Sequence, residues 1–550
     1  MKNIIRIFLI VISLPLFVNA QVNFEPVNSS VYNFLERLSI KGAIQLNEEI
    51  LPFSRKYIAS KLAEIDKRRS KLSNIEKDEL YFYIKEYSSE LRKLNFNLKP
   101  YEIKKKLIDL NSDNFGFDKY NRLRLLSYDS NKFGLFIDPV FRLKYSSQNG
   151  SKSTLWSNGL RMYGSIGEHV GFELMFYDNH ANGNYFNRER KFSKLTGYEF
   201  TVGKKGGLDF DRMNANFTYS WQWGSLTLGK DFNYYGSGEN GKLILSNKAP
   251  SFPFVKLEIN PVKWFKFSYI HGSLNSQVID SSGIRRGFSR DHFPKISKYF
   301  VAHLFSFTPL KYFNISLGES VIYSDRFEPI YLIPVAFFRL ADHYLTDPDE
   351  SAGNAQLFGS FWLKSYKLKT KFYGSIFIDE LSLGTSKNPQ AIGYNVGVKT
   401  IDPIVPESEF IIEYTKILPF VYFHSDKAQT FQNYGYDLGH WIGSNADQIY
   451  LSFTKRIIRG LNLQLQYEYT RKGKEESFDE FRYQPEQIFL WGKNNYIIKY
   501  GVNLTYEFLN DITLTFSYLN NNKKYLNETK DLMKKGNSSI IIFSFGYGFM

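Results

Sequence analysis

The chain has 550 residues, 43% of them hydrophobic and 23% charged, which is enough apolar material for a large core and excludes wholesale disorder. A mean hydropathy of −0.34 excludes a polytopic helical membrane protein. The absence of cysteine excludes disulfides, thiol nucleophiles, cysteine-ligated metals and an acylated-cysteine anchor, while a formal net charge of +15 favours an anionic partner.

Residues 1–20 read as an export signal. Lys2 and Arg6 supply the positive end, Ile4 to Val18 the apolar core broken by Pro15, and Ala20 the small residue before a mature start at Gln21. That core is roughly 15 residues, short of the ~20 a spanning helix needs. The longest later apolar run, Ile330 to Phe338, is short and contains Pro334. Export argues against nucleic acid as the partner of the positive charge.

Residues 30–107 have helical period, so a helical region is expected over residues 21–112. Val31, Leu35 and Leu38 share one face, as do Ile58, Leu62 and Ile65, and then Leu80, Ile84, Tyr87 and Leu91. Ser73 with Glu76 fits a capping box opening the third helix. The basic runs Lys67-Arg68-Arg69, Arg92-Lys93 and Lys104-Lys105-Lys106 read as a solvated helix face, ahead of contact with an anionic polymer or surface.

From residue 113 to 550 the period becomes two. Phe217, Tyr219 and Trp221 alternate with Thr218, Ser220 and Gln222; Leu461 to Tyr469, Val502 to Phe508 and Ile512 to Tyr518 behave alike. Soluble sheets also alternate, but three features favour an all-β transmembrane barrel of about 18 antiparallel strands with long extracellular loops. Aromatic residues crowd the apolar face near strand ends. Tight turns at 260–263, 309–311, 459–460 and 510–511 alternate with long polar stretches at 178–195, 275–296, 341–354, 424–445 and 472–493. The chain ends in an aromatic-rich strand from Ile540 to Met550, suited to closing the wall so that no strand edge meets lipid.

Several segments carry a family resemblance. They are Phe34-Leu35 through Ile40, Gly42, Pro52, Arg55 and Leu62; Gly236 to Ser246 followed by Pro250; Tyr299 to His303; Gly318 to Tyr323; Tyr331 to Pro334; Asp379-Glu380; and Tyr434 to His440 followed by Gly443 and Asp447 to Leu451. In order and spacing they resemble the Wzi family of capsule-assembly outer-membrane proteins. The resemblance implies an 18-stranded barrel with a periplasmic helical bundle. It also implies a lectin-like, non-enzymatic role in the cell outer membrane: binding and retaining capsular or other surface polysaccharide. The partners it suggests are that anionic polysaccharide, outer-membrane lipid or lipopolysaccharide, and the polysaccharide export machinery.

No catalytic, metal or cofactor motif stands up. Gly236-x-Gly238-x-x-Gly241 matches a dinucleotide fingerprint in form, but no helix follows, and Leu243 stands where a P-loop needs Ser or Thr. A glycine-rich turn folded against or into the barrel is the better reading. The eight histidines show no HExxH, and no GxSxG elbow exists. Asp342, Asp347, Asp349 and Glu350 read as a solvated acidic loop ahead of a calcium site. Glu319, Asp379 and Glu380, with Arg326 and Arg339, are expected to form a structural charge network filling the lumen. Glu319 sits in phase with Leu317 and Val321, so a bulge near Gly318 or a position beyond the apolar band is needed to place it there.

Glycan binding wants aromatic platforms beside hydrogen-bonding groups. The candidates are Trp156, Tyr434, Tyr436, Trp441 and Trp491, with Lys472, Lys474 and Arg482 for acidic sugars; each also reads as a girdle or loop-packing residue. A passive porin or transporter is the alternative, and a lipid- or glycan-modifying enzyme the weakest one.

Overall fold

The computed structural model describes residues 23–102, 115–118, 120, 122–130, 132–183, 190–204, 206–287, 291–345, 353–380, 390–475 and 488–548. The signal segment and the Lys104–Lys106 run lie outside the described residues. Eighteen antiparallel staves close on themselves. They run β1 (Phe133–Gln148), β2 (Ser151–Ile166), β3 (Val170–Gly183), β4 (Gly207–Trp221), β5 (Gly224–Asp231), β6 (Phe252–Val262), β7 (Phe265–Ile279), β8 (Lys295–Leu310) and β9 (Phe313–Ser324). They continue as β10 (Asn354–Ser365), β11 (Thr370–Glu380), β12 (Ala391–Ile401), β13 (Ser408–Ile417), β14 (Ala446–Ile458), β15 (Leu461–Lys472), β16 (Asn494–Leu509), β17 (Ile512–Leu526) and β18 (Leu532–Tyr547). β18 pairs with both β17 and β1, setting Phe545 opposite Leu143, so the wall has no open edge.

Period-two alternation produces two unlike faces. Phe217, Leu228, Leu465, Tyr467 and Phe543 point outward and are exposed, while Thr218, Thr227, Glu468 and Ser452 point inward and are buried. An apolar exterior around a polar interior is the inverse of a soluble barrel and suits hydrocarbon. One end of the wall has only short turns, such as 222–223, 263–264, 311–312, 459–460 and 510–511; the other carries long connections including 232–251, 280–294, 418–445 and 473–493.

The helical region occupies the mouth at the turn end. α1 (Val31–Ile40), α2 (Arg55–Asp66), α3 (Asn74–Glu86) and α4 (Ser88–Lys93) bury Val31, Leu35, Leu38, Ile58, Leu62, Ile65, Leu80, Ile84, Tyr87 and Leu91 in one core. Ser73 and Glu76 form the capping box that starts α3. The seat on the barrel is ionic. Arg37 reaches Asp402 at 2.6 Å and the Ser408 carbonyl at 3.1 Å in the β12–β13 turn. Arg122 bridges Glu86 of α3 and Asp511 of the β16–β17 turn, both at 2.5 Å. Burial alone would raise the Glu86 carboxyl, but Arg122 and Arg55 outweigh it and hold it at about 2.

A second insert fills the lumen from the loop end. Residues 232–251, between β5 and β6, fold inward as a plug around buried Leu243, Ile244 and Leu245. The Glu239 and Asn240 N–H groups donate to the Glu413 carboxylate of β13 at 2.6 and 3.1 Å. Glycine is required here: Gly238 has φ +139°, and a Cβ would stand 2.2 Å from the Gly241 carbonyl oxygen. The Gly236–Gly241 stretch is thus a tight plug turn, not the entry to a helix.

The connection between β9 and β10 does something the alternation does not suggest. Residues 326–345, ending in α5 (Phe338–Leu345), lie as a strap against the outside of the wall. Tyr331 and Phe338 pack over the outward faces of Phe267, Tyr269, Val301, Val321 and Tyr323. Glu319 lies beneath. Of the two alternatives for Glu319, the bulge near Gly318 is corrected: β8 and β9 run in unbroken register from Lys298↔Ser324 to Phe307↔Ile315, with His303 opposite Glu319. Glu319 therefore keeps its outward phase, and its carboxylate accepts the Phe338 N–H at 2.6 Å and the Arg339 N–H at 3.4 Å. A charge on the outer face is tolerated because the strap brings it donors and covers it.

Candidate functional site

Residues 418–445, between β13 and β14, form a cover over the plug. Asp379, inward on β11, anchors it by accepting the Tyr422 N–H at 2.6 Å. The Tyr422 hydroxyl donates to the Leu243 carbonyl at 2.6 Å, and the Trp441 indole N–H donates to the Asn240 carbonyl at 2.7 Å. His440 is fully buried beneath, with its ring against Gly241; burial and the nearby Lys194 push its pKa down to about 3. A cover tied by backbone carbonyls of the plug is one rigid surface, not a set of independent loops.

A cavity of about 300 Å³ opens between this cover and the segment 190–197. Phe192 and Trp441 form one wall, with ring centroids 5.5 Å apart. Tyr436 forms another, lying so close over Gly197 that a Cβ there would meet its ring at 2.3 Å. Between them Asp437 accepts from the Gln432 amide at 2.8 Å, and Lys472 donates to the Ser444 carbonyl. Both flank Gly443, where a Cβ would lie 3.1 Å from the Asp437 carboxylate and 3.3 Å from the Lys472 ammonium. Burial raises the Asp437 carboxyl, with Lys472 and Lys248 pulling the other way. Lys248 closes the floor: its ammonium donates to the Ser193 and Leu195 carbonyls at 2.9 and 3.1 Å, and burial lowers it to about 8.

This arrangement offers ring faces, the Asp437 and Glu475 carboxylates to accept hydroxyls and ammoniums to donate or to meet acid groups. It is equipped for polar, hydroxylated ligands. Among the described residues no cluster of three or more histidines or carboxylates could hold a metal ion.

The sequence candidates divide in position. Tyr436, Trp441 and Lys472 line the cavity. Trp441 is only 5% exposed, so it serves mainly as a clip between cover and plug. Tyr434 sits in the turn of the cover between Asn433 and Tyr436, its N–H donating to the Asn275 carbonyl at 3.2 Å. Lys474 and Trp491 form a cation–π pair at 5.1 Å beside the site. Trp156 stands elsewhere, on the outward face of β2, stacked on His180 at 4.4 Å. Arg482 lies outside the described residues.

The proposed lumen network is corrected. Glu319 points outward and Asp379 inward, so the wall separates them. Arg326 pairs with Glu328 at 2.5 Å on the strap, and Arg339 meets Glu319 through its backbone N–H. The Glu380 side chain and those of Asp342, Asp347, Asp349 and Glu350 lie outside what is described. Sequence reasoning missed Asp437, Phe192, Lys191 and Lys248. Asp437 lay within the Tyr434–His440 motif and was the one with a usable signal; the others come from plug and loop segments that only tertiary folding brings together.

The family described as capsule assembly protein Wzi matches residues 177–535. Among solved structures, the chain is similar to an Escherichia coli outer-membrane protein described as Wzi, involved in group 1 capsule assembly and a carbohydrate-binding β-barrel; identity is 12%, coverage 96% of this chain and 99% of that one, and the TM-score 0.54. Acinetobacter baumannii OccAB4 shows 8% identity over 76% of this chain and 98% of its own, with a TM-score of 0.43. Pseudomonas aeruginosa OccK11 shows 10% identity over 76% and 96%, with a TM-score of 0.41. No curated protein sequence matches the chain.

Proposed function

The chain belongs to the Wzi family of capsule assembly proteins, and on that premise we propose that it binds and retains capsular or another surface polysaccharide at the outer membrane, acting by binding rather than turnover. The observation that carries this reading is the cavity between Tyr436, Asp437, Trp441 and Lys472 at the loop end, held rigid by its ties to the plug. The loop end is the outer side of such a barrel, and the helical region at the turn end is periplasmic. Ring faces with a carboxylate and an ammonium suit a glycan chain carrying acid groups.

A passive porin fits less well, because the plug and the helical region occupy the lumen from opposite ends. The test is surface capsule measured by flow cytometry in a deletion strain complemented with wild type, Asp437→Asn or Lys472→Gln. Export should continue in the deletion while surface retention falls. Retention equal to wild type in the deletion would overturn the proposal. In planar bilayers, large stable channels from the intact chain would favour the porin.

A further inference from the structure

Behind the segment 190–197, on the opposite side from the cover, lies a second cavity of about 310 Å³. Its wall is the inner face of β1 to β4. Register puts inward residues side by side across this wall: Arg142 beside Ser157, Ser157 beside Asn179, and Tyr177 beside Arg212, with Lys144 beside Leu155 one step higher. Among the described residues six cationic side chains line the cavity, Arg142, Lys144, Arg161, Arg190, Lys194 and Arg212, against one carboxylate, Asp231.

Cations outnumber carboxylates in this lining. Asp231 is already engaged by the Asn216 amide at 2.7 Å and the Phe232 N–H at 2.8 Å. Arg161 pairs with Glu173 at 2.9 Å through Nε, but it is 4% exposed and its Nη2 is buried without a hydrogen-bond partner. Lys194 pairs with Glu468, across the lumen on β15. Gathering cations in a confined, low-dielectric space raises a strong positive potential, which an entering anion relieves. Beside the charges stand the Phe210 and Phe232 rings and the Asn214 amide, which suit a ring carrying hydroxyls.

We propose that this chamber binds the oxyanion of an acidic saccharide unit, a carboxylate or phosphate borne on a sugar ring. The saccharide half rests on the polysaccharide reading above; the anion half rests on the chamber alone. The segment 190–197 thereby divides two sites, one towards the surface for the chain of sugars and one inside for its charge.

The full chain in detergent is titrated calorimetrically at low salt with glucuronate, glucose and inorganic phosphate. Glucuronate should bind saturably and at least about tenfold tighter than glucose, and Lys144→Gln and Arg212→Gln should each weaken it about tenfold, the loss of one charge-assisted contact. Lys144→Arg keeps the charge and should bind like wild type; it also separates a charge effect from misfolding, which heat-modifiable gel mobility reports. Glucuronate binding no better than glucose, or unaltered in both glutamine variants, overturns the chamber. Inorganic phosphate binding tighter than both glucuronate and glucose 6-phosphate, titrated alongside, overturns the saccharide class. Unchanged capsule retention in the deletion strain with glucuronate binding intact would sink the polysaccharide reading and leave the anion site standing.

Discussion

His303 and Glu319 are direct cross-strand partners on the outside of the barrel, with the imidazole Nε2 3.3 Å from the carboxylate. The other ring nitrogen faces the Pro334 carbonyl of the strap at 3.0 Å. A carbonyl only accepts, so the ring presents its Nδ1–H to the strap while Nε2 faces the carboxylate. The pair therefore holds the strap from both its Pro334 and its Phe338 ends.

Glu319→Ala removes the acceptor for the Phe338 N–H and leaves His303 without its partner. Undocking of the strap should become easier by about 1–3 kcal/mol. Trypsin cleavage after Arg326 and Arg339, measured in detergent, should then rise about fivefold or more. An unchanged cleavage rate would mean that the Tyr331 and Phe338 rings hold the strap unaided.

The cover should loosen in acid. His440 sits at about 3 when buried against an ordinary value of 6.5, so a released cover takes up a proton that the seated one refuses. Seating is strongest above about 6.5 and weakens progressively as pH falls from 6.5 towards 3. Fluorescence of Trp441 and proteolysis within 418–445 should both report this between pH 7 and pH 5. His440→Gln should flatten the pH dependence, and an equally steep profile in that variant would place the titration elsewhere.

Trp441→Phe keeps a ring against Phe192 and loses the hydrogen bond to Asn240. The expected effect is about 1 kcal/mol on closure of the cover, with partial loss of capsule retention. Retention at wild-type level, with proteolysis of the cover unchanged, would show that the Tyr422–Leu243 tie suffices.

Arg122→Ala leaves Glu86 and Asp511 buried without their shared cation. Losing one member of such a cluster costs about 3–5 kcal/mol. Helical circular dichroism of the variant should melt earlier than the barrel's strand signal. A single melt at the wild-type temperature would show that Arg37 and its partners in the β12–β13 turn carry the seat.

Much of this architecture was legible because it is local. The faces of α1 to α3 could be read from Leu35, Ile58 and Ile84, and the wall from Tyr219, Leu465 and Phe543, since periodicity depends on near neighbours. The environment of Glu319 was not legible, because the strap that covers it comes from the following connection and nothing in its spacing announces an outer packing surface. The cavity suffered likewise: Tyr436 and Trp441 were conspicuous as aromatics, while Phe192 and Lys248 became relevant only when the loop and the plug met. Charge patterning could not tell Glu319 from Asp379, which face opposite sides of the same wall.

The ties between Asn240 and Trp441, Leu243 and Tyr422, and Glu239 and Glu413 join stretches of chain more than 170 positions apart. Plug and cover, each rooted in the wall at both ends, thereby act as cross-braces that hold distant staves at a fixed span. Cutting a brace should let the cross-section of the cylinder relax while its seam between β18 and β1 stays shut.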